Sequence, residues 1–198
     1  MLQKGVLAKA VLKYQKRGSS HEGQHVKIST VLTILLLTLG TTGALAAEKQ
    51  FTVLFLGDSL TEGYGLQAGE AFPDLIAARL KAEGRNDIRI INGGVSGSTS
   101  ASAPGRLQWY IRSKPDLMIL SLGGNDGLRG LPVAEMRNNL VQTIEYAQKN
   151  GIKVALTGMM IPPNLGQDYT ASFARVFPEL AAQYRLPFLP FLLEEIGR

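Results

Sequence analysis

The sequence predicts an α/β fold, a parallel sheet with helices on both faces, and three observations carry that reading. Short apolar runs alternate strictly with segments of helical periodicity along residues 51–198. The runs are short and bounded by glycine or polar turns, as buried strands are. Polar, glycine-rich insertions follow the first three runs, so in a parallel sheet they share one edge.

The elements follow in order. FTVLFLG (51–57) is a strand rich in β-branched and aromatic residues and closed by glycine. AFPDLIAARLKAEG (71–84) carries Phe72, Leu75, Ile76 and Leu80 at helical spacing, with Gly84 as a stop. IRIING (88–93) is the second strand. STSASAPGRLQWYIRS (98–113) opens on capping residues and a proline suited to a first turn, then sets Leu107, Tyr110 and Ile111 on one side. DLMILSLGG (116–124) is the third strand. PVAEMRNNLVQTIEYAQKNG (132–151) is a helix whose stripe is Val133, Met136, Leu140, Ile144 and Ala147. KVALTGM (153–159) is the fourth strand. SFARVFPELAAQYR (172–185) is a helix with a kink or restart expected at Pro178. PFLPFL (187–192) is a fifth strand whose prolines suit an edge. Right-handed crossovers then give a flavodoxin-like, three-layer α/β/α sandwich with a five-stranded parallel sheet. In such sheets the chemistry lies outside the carboxyl ends of the strands.

The chain has 198 residues, enough for one domain with a core, and no cysteine, which excludes disulfides and thiolate metal sites. Its formal charge of +5 invites a nucleic-acid reading, but the excess is local. Residues 1–46 hold six of the 21 basic residues and one of the 16 acidic ones, leaving fifteen of each sign in 47–198. That part is formally neutral and no nucleic-acid partner is expected. Lys27, the apolar run VLTILLLTLGTTGALA and the Ala44-Leu45-Ala46 ending form a signal peptide with an Ala-x-Ala cleavage site. The run is too short and interrupted for a membrane span. Two units follow: an N-terminal extension with a signal peptide at 1–46 and a domain at 47–198 in the periplasm or outside the cell, with no stable membrane span after cleavage. No metal cluster or cofactor fingerprint is visible, so no cofactor is expected.

Three edge motifs carry the chemistry. GDSL (57–60) places Ser59 at a strand-to-helix junction, where its hydroxyl and nearby backbone N–H groups face one space; read alone, Ser59 is equally a helix cap. NGGVSGSTS (92–100) allows close backbone approach, and read alone is a flexible loop. LGGNDGLRG (122–130) sets the Asn125 amide at a strand tip, and read alone is an Asn-Asp turn. A serine and two amide donors meeting at one edge are the parts of a nucleophile and an oxyanion hole, where each donor removes about 3–4 kcal/mol of barrier.

With these motifs in hand, the chain resembles the GDSL, or SGNH, hydrolases, and more narrowly the bacterial periplasmic acyl-CoA thioesterase I, lysophospholipase and arylesterase group. FLGDSLTEGYG, NGGVSGSTS and LGGNDGLRG match three of four family blocks, and PPNLGQDYTASFARVFPELA and PFLPFLLEEIG match the later scaffold. The resemblance covers nearly all of 51–198. It implies Ser59 as nucleophile, an oxyanion hole from the Ser59 and Gly97 backbone N–H groups and the Asn125 side chain, and a loop from Asn125 through Arg129 that moves over bound acyl chains. It implies a small acyl ester, thioester or lysophospholipid as substrate, and Asp58 as an anchor of the turn rather than a triad acid.

The family's fourth block, Asp-x-x-His on a loop before a last helix, is absent before Arg198. The only histidines, His21 and His25, fall in the leader. A serine hydroxyl without an adjacent base is a poor nucleophile. Glu194 and Glu195 are weak bases for the task. Truncation is the simplest reconciliation; it implies impaired turnover and a marginally stable, association-prone domain, since an uncovered sheet face costs roughly 25 cal/mol per Å². The competing readings are a non-catalytic acyl- or carbohydrate-binding module and an anion or nucleotide binder; the latter lacks any phosphate-cradling pattern after the first strand.

Residues 1–25 are long and charge-scattered for an n-region, and Glu22-Gly23 would be encoded by a purine-rich stretch like a ribosome-binding site. We therefore expect translation to start at Val26. Mass spectrometry of the unprocessed precursor checks this: a peptide spanning Gln15 to His25 would end the idea.

Overall fold

Strand β1 (Phe51–Gly57) has six of its seven residues buried, as a strand covered on both faces requires. It belongs to a computed structural model that describes residues 50–192. The leader, His21, His25, Glu194 and Glu195 lie outside the described residues. After β1 come α1 (Ser59–Glu62), α2 (Phe72–Ala82), β2 (Ile88–Gly94), α3 (Ala103–Tyr110), β3 (Leu117–Ser121), α4 (Gly124–Leu128), α5 (Val133–Lys149), β4 (Lys153–Thr157), α6 (Gln167–Gln183) and β5 (Phe188–Leu189).

All four strand pairings are parallel, and the order is β2-β1-β3-β4-β5. This is the doubly wound sheet that the alternation predicts. The chain runs outward from β1 to β2, then crosses back to β3 on the other side of β1, so the strand order reverses at β1. Register places the three tips level: Gly57 pairs with Gly94 on one side and with Ser121 on the other.

Alternate side chains of the same strands feed two cores. Leu54, Leu56, Met118, Leu120, Val154 and Leu156 pack with α3, α5 and α6. Val53, Phe55, Leu117, Ile119 and Ala155 pack with Ile76 and Leu80 of α2. The period-2 alternation of strands sends neighbours to opposite faces. The stripe of α5 is buried as its 3.6-residue period predicts, through Met136, Leu140, Ile144 and Ala147, with Val133 half-buried at its start.

Several boundaries differ from the sequence reading; the third and fourth strands end early, at Ser121 and Thr157. The helix expected over 98–113 splits into a 3₁₀ turn (Ser100–Ser102), α3 and a second 3₁₀ turn (Ile111–Ser113). Pro104 has no N–H and sits in the first turn of α3, where none is needed. α6 begins at Gln167, five residues early, and runs through Pro178 without a restart. Phe177 and Leu180, both buried, hold it down on either side of the lost bond. β5 shrinks to two residues between Pro187 and Pro190, which cannot donate to a ladder. α4 forms where the motif read alone offers an Asn-Asp turn.

Phe177 is buried against Phe173, with ring centroids 5.4 Å apart, beneath the loop that follows β3. Replacing Phe177 by Ala is expected to cost about 3–5 kcal/mol, the range for a buried aromatic truncated in a packed core. Urea denaturation of the two chains measures it.

Candidate active site

Asp58 caps α1: its Oδ1 accepts the Leu60 N–H at 3.0 Å, and its backbone carbonyl accepts from Thr61 and Glu62 at 3.1 and 2.9 Å. It is therefore an anchor of the turn. Ser59 follows as the first helical residue, half-buried, and its hydroxyl has no hydrogen-bond partner among the described residues. The short helix then closes on Gly63, whose N–H returns to the Ser59 carbonyl at 3.0 Å. α1 lies directly on the strand tips. A Cβ on Gly57 would fall 1.9 Å from Thr61 Oγ1, and one on Gly94 would fall 2.0 Å from the Glu62 nitrogen. Only glycine fits at these two positions, which is why the serine can stand so close to the sheet.

The second motif folds into a four-residue turn. Ser98 N–H donates to Val95 O at 3.2 Å, and Gly97 has φ +73°. This is the type II pattern, with glycine at the third position. Three side chains hold the turn. Glu62 Oε2 accepts from Ser96 N–H at 2.8 Å and also from the Ser96 hydroxyl. Arg129 Nη2 donates to Gly97 O at 3.0 Å, and Asn125 Nδ2 donates to Ser98 O at 3.0 Å.

The third motif forms α4, with Asn125 in its first turn. The next residue, Asp126, is buried; its carboxylate accepts from Ser100 N–H at 2.8 Å and from Ser100 Oγ at 2.6 Å. Asn139 of α5 donates to the same hydroxyl at 3.1 Å. Charge-assisted bonds of this kind are worth about 1.5–3 kcal/mol each when buried. They bind the loop after β2 to the loop after β3. Tyr169 steadies the far side, donating to Leu131 O at 2.7 Å.

The three residues singled out in the sequence, Ser59, Gly97 and Asn125, thus lie on the tips of three adjacent strands. Asn125 contacts the Gly97 turn directly. Ser59 makes no hydrogen bond to either; α1 joins them through Glu62. The backbone N–H groups of Ser59 and Gly97 have no acceptor among the described residues, and Asn125 Nδ2 has a second hydrogen beyond the one given to Ser98. Among the described residues no group of three carboxylate or imidazole side chains is placed to hold a metal ion. A cleft of about 450 Å³ opens beside α1, walled by Glu62, Tyr64, Leu66, Asp74 and Ser96.

Two titratable groups lie beneath the site, Asp58 buried and Arg106 half-buried. Arg106 of α3 donates through Nη2 to Gly57 O at 3.0 Å and also to Gly93 O, joining the tips of β1 and β2. Burial lowers its pKa, an effect that Tyr110, Asp58 and Glu62 oppose. Burial raises the pKa of Asp58, against the Leu60 hydrogen bond and Arg106. Arg106, Asp126, Ser100 and Glu62 escape the sequence reading. Asp126 stands inside a quoted motif, but nothing local to the letters shows that it is buried, and Arg106 looks like any polar residue of an amphipathic helix.

The profile of the GDSL-like lipase/acylhydrolase family matches residues 55–197. The chain is 40% identical over 147 residues to esterase TesA of Pseudomonas aeruginosa, covering 74% of this chain and 73% of that protein. It is 34% identical over 166 residues to thioesterase 1/protease 1/lysophospholipase L1 of Escherichia coli, covering 83% and 76%. Among solved structures, AlinE4, an SGNH-hydrolase family esterase, superposes with a TM-score of 0.70 at 43% identity, over 75% of this chain and 79% of that one.

A protonated Asp58 suits its buried place, so its raised pKa adds stability below the ordinary carboxylate range and loses it as pH rises through the raised value. Asp58→Asn keeps a cap acceptor and never ionises. Relative to this variant, the wild-type chain is expected to lose melting temperature as pH rises from about 4, the ordinary carboxylate value, toward neutrality. Parallel thermal melts across that range check the sign.

Proposed function

The chain belongs to the GDSL-like lipase/acylhydrolase family and is one of its serine hydrolases, and from that premise we propose that it cleaves acyl esters, acyl thioesters or lysophospholipids through an acyl-enzyme on Ser59. The observation that carries the reading is the set of unpaired donors at the strand tips. Among the described residues the Ser59 and Gly97 N–H groups and the second hydrogen of Asn125 are unclaimed, and they come from the segments that follow β1, β2 and β3. Ser59 Oγ attacks the carbonyl carbon, and the carbonyl oxygen becomes an oxyanion that these donors stabilise. The intermediate collapses with loss of the alcohol or thiol, and water then releases the acid. Fixed donors contribute because they need no reorganisation as the charge forms. The surroundings suit an apolar acyl group: Leu60, Val95, Leu128 and Met160 stand exposed on the loops after β1, β2, β3 and β4.

The weak step is proton transfer. Residues 47–198 contain no histidine, so within them no imidazole receives the serine proton. The reading therefore includes slow turnover: hydrolases lacking triad members keep about 10³–10⁴-fold over water from the oxyanion hole and binding. The same lack favours a second reading, an acyl-binding module without turnover. The segment from Lys27 to Ala46 acts as a cleaved secretory signal, which places the hydrolase domain of 47–198 in the periplasm or outside the cell. Among the described residues no helix is long and apolar enough to cross a membrane.

A fluorophosphonate probe separates the two readings. Labelling of Ser59 in the wild-type chain and its loss in Ser59→Ala is expected. A folded wild-type chain that takes no label would favour the binding module.

A further inference from the structure

We propose that Glu62 is a positioning residue: from the helix that carries Ser59, it holds the Val95–Ser98 turn in place against the nucleophile, and so fixes where the Gly97 N–H stands at the oxyanion site. The inference rests on the reading of Ser59 as nucleophile and names a residue that supports it.

The Gly97 N–H belongs to the central peptide of the turn, between Ser96 and Gly97. Its place in the site is set by where the turn stands against α1. On the near side, Glu62 Oε2 accepts both the Ser96 N–H, at 2.8 Å, and the Ser96 hydroxyl. On the far side, Arg129 Nη2 donates to the Gly97 carbonyl at 3.0 Å. These bonds anchor the two peptides that flank the Gly97 N–H, and so fix the distance of that donor from the helix that carries Ser59.

Glu62 is placed for this by covalent geometry. It ends α1 three residues after Ser59, and its backbone rests on Gly94, where even a methyl group would fall 2.0 Å from its nitrogen. The nucleophile and the carboxylate that positions the donor are therefore parts of one rigid turn of helix. Both Glu62 and Ser96 are exposed, and exposed hydrogen bonds add little to global stability. What the link governs is the place of one N–H group.

The test uses the full chain and three variants, Glu62→Ala, Glu62→Gln and Ser96→Ala, with fluorophosphonate as the probe. Glu62→Ala is expected to lower kinact at Ser59 by about 10- to 100-fold, toward the loss seen when an oxyanion donor is removed. KI is expected to stay within about twofold and the melting temperature within a few degrees. Glu62→Gln keeps an acceptor oxygen for the Ser96 N–H and should restore most of the rate, while Ser96→Ala, which keeps that N–H, should fall less than Glu62→Ala. Amide hydrogen exchange at Ser96 should quicken about tenfold or more in Glu62→Ala. A Glu62→Ala chain that reacts like wild type, or that loses only KI or loses rate in step with its melting temperature, overturns the inference. Should wild type itself take no label, the nucleophile reading falls, and Ser96 exchange, which needs no reaction, still decides whether Glu62 holds the turn.

Discussion

The close seating of α1 on the tips of β1 and β2 is the constraint on which the rest of the site depends. It exists because Gly57 and Gly94, paired across the ladder, have no side chains. A helix four residues long has no independent stability, since nucleation alone is unfavourable. α1 is held by its Asp58 cap, by the Gly63 closure and by contact with two bare strand ends. In return it fixes Ser59 at the point where the strand order reverses, and hands Glu62 to the neighbouring loop.

Beneath and beside this helix the molecule spends buried polar groups on alignment. Asp126 and Ser100 form a fully buried pair that fastens the loop after β2 to the loop after β3. Arg106 gathers the last carbonyls of β1 and β2 under the turn. Such networks are costly when incomplete, because a stranded buried polar atom loses its water without gaining a partner. Here they lie directly below the surface where the donors emerge. The opposed effects of burial on Asp58 and Arg106 show the same cost from both signs of charge. The tips are level because of the ladders, and the loops are aligned because of these buried side chains.

Stabilising an oxyanion and accepting a proton are separate tasks, and the described residues serve the first. Backbone donors come from strand tips and tight turns, so they are set by the sheet and its glycines. A general base must be a titrating side chain on its own loop, and the fold of 50–192 can form without one. That independence explains how three well-formed loops form within residues 50–192, which hold no histidine.

The sequence by itself determined the order of strands and helices, the parallel sheet, the stripe of α5 and the edge on which Ser59, Gly97 and Asn125 lie. Each of these follows from periodicity and glycine placement, which are local. The restart offered at Pro178 does not occur, because the burial of Phe177 and Leu180 outweighs one missing hydrogen bond. The helix α4 was not legible, because five residues carry too little periodicity to announce one. Only the tertiary structure decided that Asp126 meets Ser100, that Arg106 reaches two strand tips, and that Glu62 grips Ser96. These contacts join residues 13 to 49 positions apart or bridge separate loops, and no pattern along a chain specifies which distant polar groups folding will bring within three ångströms of each other.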